Sequence, residues 1–174
     1  MGGFGSMMAG GKFMDGFKHS LISSALNHAG DIVVQEIKDV INKSKPSFDI
    51  DKSVDYINKK ARPSYLDAKG ECALYIREAL EAGGIDASIR PGHAKEYGPY
   101  LEQWGFSSVE SVDYVPLKGD MAVFQNYDGG SVAGHIQMYN GSRWVSDHFQ
   151  NRFWANTKYE SANNYMIYRW KQPK

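Results

Sequence analysis

The dipeptide Asn140-Gly141 stands between two runs of alternating character, and it limits the folds open to this chain more than any other feature. Asn-Gly is a strong signal for a tight turn between antiparallel strands, because both residues tolerate positive φ. Val132–Tyr139 and Arg143–Phe149 are therefore predicted to form a β-hairpin. Met121–Gln125 and Tyr165–Trp170 read as two further strands. Ahead of them, the apolar spacing of the stretch from Gly70 to Ala82 predicts a helix, closed by Gly83-Gly84. Pro99–Trp104, with Pro99 in the first turn and Gly105 after the end, predicts a shorter one. One helix followed by a run of short strands is the pattern of an α+β domain with a small antiparallel sheet.

The amino-terminal third reads differently. Residues 1–12 are mostly glycine and methionine and form a lead-in. Two helical patterns follow, Phe13–Asn27 and Asp31–Asn42. A polar stretch, Asn42–Ser53, separates them from the rest. The expected division is a helical extension over 1–53 and a compact domain over 54–174. That domain opens with a helix over Val54–Lys60, which Pro63 ends.

Composition excludes several classes of function. The 20 basic and 20 acidic side chains cancel, so no basic field attracts nucleic acid. No run is long and apolar enough for stable membrane insertion. The start lacks the basic-then-apolar pattern of a Sec signal, so synthesis in the cytoplasm without that signal is expected. With 1 cysteine, no intrachain disulfide can form.

That cysteine, Cys72, falls at the predicted start of a helix. Free N–H groups and the positive end of the helix dipole favour a thiolate there, which predicts a lowered thiol pKa. The competing reading is a buried hydrophobe, because Cys72 shares a helical stripe with Ile76, Ala79 and Leu80. His135, entering a predicted strand after Gly134, is the candidate base. A third group should hold the imidazole, and turn length chooses it. A two-residue turn places Ser146 opposite His135; a three-residue turn places Asp147 there. Asp147 is the better chemical choice, since a carboxylate stabilises an imidazolium. His148 shares the parity of Ser146. A zinc site from Cys72, His93, His135 and His148 lacks the short paired spacing that marks zinc, so no metal or other cofactor is expected.

Four segments, in order, carry a resemblance: Gly70-Glu71-Cys72-Ala73-Leu74-Tyr75-Ile76-Arg77, Pro116-Leu117-Lys118-Gly119-Asp120, Gly134-His135-Ile136-Gln137-Met138-Tyr139 and Trp144-Val145-Ser146-Asp147. Together they resemble the papain-like bacterial cell-wall peptidases, including the CHAP and NlpC-type cysteine amidohydrolases and the amidase effectors of type VI secretion. The resemblance implies a papain-like fold and hydrolysis of an amide in peptidoglycan stem peptides or cross-links. It implies Cys72 as nucleophile, His135 as base and Asp147 as orienting residue, although some family members use His, Asn or Gln in third place. Gly10–His19 and Ser23–His28 resemble the segment before the toxin domain of polymorphic bacterial toxins. That likeness implies an antibacterial toxin, exported or delivered to the periplasm or cell wall of a target cell, with an immunity protein as partner. The same scaffold also serves cysteine acyltransferases and thioesterases, and a binding or tail-structure module with a structural cysteine is the non-enzymatic alternative.

Overall fold

The computed structural model describes residues 47–171. The two amino-terminal helices expected from the sequence lie outside these residues. Pro46–Lys174 forms one compact unit.

Helix α1, Ile50–Lys60, starts four residues earlier than the sequence pattern suggested. Its start is set by Asp49, whose side chain accepts from the Lys52 N–H at 3.0 Å and satisfies one of the free donors of the first turn. Val54 and Ile57 bury the apolar side of the helix. Phe48, just ahead of it, packs against Phe106 and Trp170. The core of the domain therefore reaches back beyond position 54.

Helix α2, Cys72–Ala82, buries Cys72, Ile76, Ala79 and Leu80. The stripe read from the sequence is thus the stripe that packs. At its end Gly83 lies against the Phe48 ring, where a Cβ would have no room, and Gly84 takes the left-handed turn at φ +97°. Helix α3, Tyr97–Gln103, buries Tyr97 and Leu101.

Five strands form one antiparallel sheet: β1 (Phe106–Val109), β2 (Met121–Phe124), β3 (His135–Tyr139), β4 (Trp144–Val145) and β5 (Tyr165–Trp170), in the order β1-β5-β2-β3-β4. The α+β expectation holds, with the Cys72 helix packed against a small antiparallel sheet. One face, carrying Met121, Val123, Ile136 and Met138, meets α1, α2 and α3. The other, carrying Ala122, Phe124 and Ile167, is covered by Tyr159 of a short helix α4, Thr157–Ala162, and by Phe153 and Trp154. Burying each of these large apolar side chains contributes about 1.5–3 kcal/mol.

β1 and α4 have no counterpart in the sequence reading. β1 is the edge strand Phe-Ser-Ser-Val, too short and polar to show a clear period. α4 is 6 residues long, and its signal lies in its caps. Asn156 accepts from the Lys158 and Tyr159 N–H groups, and Asn163 ends the helix in the left-handed region.

The Pro116–Asp120 segment is structural. Gly119 has φ +91° and packs on Ile50. The fully buried Asp120 accepts from Tyr114 Oη at 2.6 Å and from the Leu117 N–H at 2.8 Å. It also receives Arg169 Nε and Nη2, each at 2.8 Å, a bidentate pair that neutralises the charge.

Candidate active site

The site forms where β4 leaves the sheet. Tyr139 pairs with Trp144 and Met138 with Val145, so residues 140–143 make a four-residue turn. Neither turn length weighed from the sequence applies. Continuing the ladder would set Ile136 opposite Asp147, but the chain doubles back after Val145. Val145 bridges Phe149, and the Asp147 carbonyl accepts from the Arg62 N–H at 3.0 Å. This frees the Ile136 N–H at the open edge of β3, and the start of α2 fits into the gap. The backbone N–H groups of Ile136, Ala73 and Cys72 lie near enough to the sulfur there to favour its thiolate.

These donors are available because of how α2 begins. Glu71 at the N-cap makes no side-chain capping bond. The first intrahelical bond is the Tyr75 N–H to the Glu71 carbonyl, at 3.1 Å. The earlier first-turn donors are left for the sulfur or a ligand.

The lowered thiol pKa expected from the helix end is not found. Cys72 is 7% exposed, and burial pushes the thiol up more than the three N–H groups pull it down. The Asp147 charge pushes in the same upward direction. In a dry site, loss of hydration outweighs the partial charges of a helix end.

His135 enters β3 immediately after Gly134, whose φ of +67° and contact with the Phe124 carbonyl leave no room for a side chain. The glycine ahead of His135 is therefore a steric requirement of the strand start. The ring packs by Phe124 and Tyr159, with centroids at 5.9 and 6.1 Å. Burial lowers its pKa to about 4; the Asp147 charge and the nearby Gln137 side chain pull upward, and the His148 charge pulls further down. The resting pair is thus neutral thiol and neutral imidazole. Among the described residues no direct hydrogen bond joins Cys72 Sγ to the ring; such contacts often tighten only when substrate binds.

The side chain that touches the ring is Gln150. Its Nε2 lies 3.2 Å from His135 Nε2 and 2.9 Å from Ser146 Oγ. Asp147 makes no hydrogen bond to His135. Its carboxylate accepts from the Lys69 N–H at 3.0 Å and the Glu71 N–H at 3.2 Å, fixing the loop that leads into Cys72. Ser146 Oγ donates to it at 3.2 Å, and His148 Nδ1 stands 3.1 Å away. Burial alone would raise the Asp147 pKa; His148 and the Glu71 and Lys69 N–H groups outweigh it and hold the carboxyl well below the usual carboxylate range.

Of the residues singled out from the sequence, Cys72 and the His135 strand are brought together, and Asp147 is brought to the Cys72 side of the site. Ser146 and His148 bond to Gln150 and Asp147 rather than to His135. Gln150 escaped the sequence reading because it lies one residue past the predicted strand. Beside it opens a cleft of about 310 Å³, lined by Gln150, Arg152, Trp154, Asn156 and Thr157 among others.

No protein-family profile matches the chain, and no curated protein matches it either. Solved structures do. The native type VI effector–immunity complex Tae3–Tai3 from Ralstonia pickettii matches at 34% identity, covering 71% of this chain and 100% of the matched chain, with a TM-score of 0.61. The selenomethionine form of that complex matches at 36% identity, covering 68% and 99%, with a TM-score of 0.59. A likeness at this identity over the whole of the matched chain extends beyond fold to family, and the chain belongs to the Tae3 family of type VI effectors.

Proposed function

We propose that this protein is a peptidoglycan amidase, a cysteine peptidase of papain-like, CHAP or NlpC type that cleaves an amide in stem peptides or cross-links. The observation that carries the reading is the position of Cys72 at an uncapped helix start, where nearby backbone N–H groups favour its thiolate, one of them from the residue next to His135. Such donors suit a thiolate and the oxyanion of a tetrahedral intermediate.

In this mechanism the proton moves during attack, because the resting pair is neutral. The Cys72 S–H bond breaks, its proton passes to His135, and the sulfur pair forms a bond to the amide carbonyl carbon. The intermediate collapses to a thioester as His135 protonates the departing amine. His135 then takes a proton from water as its oxygen attacks the thioester carbon; the C–S bond breaks, the acid leaves, and the proton returns from His135 to the Cys72 sulfur. Gln150 orients the ring through the contact of its amide nitrogen with His135 Nε2. Asp147 supports the loop ahead of Cys72.

The Tae3–Tai3 complexes support an antibacterial effector with an immunity protein as partner, delivered to the periplasm of a target cell. In this reading residues before the compact unit serve delivery rather than chemistry. Incubating the protein with purified sacculi and analysing the soluble muropeptides tests the reaction. Fragments carrying a new amine and a new carboxyl are expected; unchanged sacculi, or transfer of an acyl group without hydrolysis, would favour the acyltransferase alternative or a binding module.

A further inference from the structure

Gln137 is fully buried and lies two residues beyond His135 on β3. Residues two apart on a strand share a face, so the two side chains lie on the same side of the sheet. The amide is half used. Its Nε2 donates to the Phe153 carbonyl at 2.7 Å, which fastens the segment following Gln150 to the sheet. Its Oε1 is buried with no hydrogen-bond partner among the described residues. Buried polar atoms without a partner are uncommon and costly, and a catalytic role is one reason a fold keeps one.

The state that supplies one here is the imidazolium. When Cys72 gives up its proton, the S–H bond breaks, an N–H bond forms on the ring, and His135 carries two N–H donors with no acceptor of its own. Gln150 Nε2 also donates to Ser146 Oγ, so the resting network presents a donor to ring Nε2. The Asp147 carboxylate is engaged with Lys69, Glu71, Ser146 and His148. The titratable groups whose charge reaches the ring are Asp147 and His148; Tyr159 packs beside it, and Cys72 faces the strand edge.

We propose that Gln137 is a positioning residue for the reaction: its Oε1 accepts an N–H of the His135 imidazolium formed as Cys72 attacks. The proposal rests on His135 being the base. A Gln137 contribution that raises the His135 pKa agrees with an acceptor that favours the charged ring.

Gln137→Met and Gln137→Glu provide the test, since both lose the donor to the Phe153 carbonyl and differ in the acceptor. The His135 titration is followed by NMR, and kcat/KM on sacculi is followed against pH. Gln137→Glu should raise the His135 pKa by about one unit or more and carry the acid limb of kcat/KM upward with it. Gln137→Met should lower both and reduce kcat about tenfold. Variants that shift the ring titration in the same direction, or not at all, would show that Gln137 acts only through packing. Should either variant fail to fold, the side-chain carbonyl carbon of Gln137 in the unaltered protein gives the answer. It should follow the His135 titration, and a flat signal overturns the proposal. An intact NMR result without any hydrolysis would instead count against the amidase reading.

Discussion

Gln150 Nε2 lies 3.2 Å from His135 Nε2, while the Asp147 carboxylate bonds the backbone N–H groups of Lys69 and Glu71. The two residues therefore differ in what their loss should do. Gln150→Leu removes the group that touches the ring and should lower kcat about 10- to 100-fold with little change in melting temperature. Asp147→Ala leaves two N–H groups of the Cys72 loop without an acceptor. It should cost about 3 kcal/mol and lower the melting temperature by roughly 10 °C. A silent Gln150→Leu beside an Asp147→Asn that is inactive yet fully stable would return the orienting role to Asp147.

His135 makes acid stability predictable in sign. Its pKa is lowered to about 4 in the fold, against about 6.5 when unfolded. Between those values the unfolded chain binds the proton and the folded one does not, so stability rises with pH across this window. On acidification from pH 7 to 4 this single group should remove about 3 kcal/mol. Asp147, whose folded pKa is depressed, adds a loss that starts near its unfolded value of about 4 and continues below it. Thermal melts of the protein and of His135→Asn across pH 4–7 should converge as pH falls. Parallel curves would show that the ring is not held neutral.

Cys72 should behave as a protected thiol rather than a ready thiolate. Iodoacetamide labelling at pH 7 should be slow and should climb with pH beyond the range of an ordinary cysteine, because burial raises the thiol pKa. Rapid labelling at pH 6, lost in His135→Ala, would mean that a thiolate–imidazolium pair exists at rest.

A chain beginning at Pro46 should retain the fold and the activity. One beginning at Asp51 loses Phe48, whose ring packs on Phe106 and Trp170, and loses the Asp49 cap. Truncating a buried Phe costs about 3–5 kcal/mol, so the shorter chain should be markedly less stable by denaturant titration. Equal midpoints for the two chains would show that the core does not depend on the segment ahead of α1.

Much of this arrangement is legible in the residues themselves. The α2 stripe through Ile76 and Leu80, the hairpin at Asn140-Gly141 and the Gly134-His135 strand start all follow from local rules of periodicity and backbone freedom. What escaped was set by tertiary structure. β4 stops after Val145 because the Asp147 carbonyl finds Arg62, a residue 85 positions before it in the chain. No strand-pairing rule foresees that departure, and it is what moves the contact with His135 from residues 146–148 to Gln150. The Cys72 pKa was misjudged for a related reason: a helix end is visible in sequence, whereas the depth of its burial is not.

Cys72 and His135 are proposed to act as one hydrolytic unit on peptidoglycan amides. The deciding measurement compares muropeptide release from purified sacculi by the unaltered protein, Cys72→Ala and His135→Ala, each shown to be folded at pH 7 by circular dichroism. Soluble fragments with newly freed amines are expected from the unaltered protein, with a loss of at least about a thousandfold in each variant, since members of a unit fail together. Fragments released at an undiminished rate by Cys72→Ala would contradict the proposal.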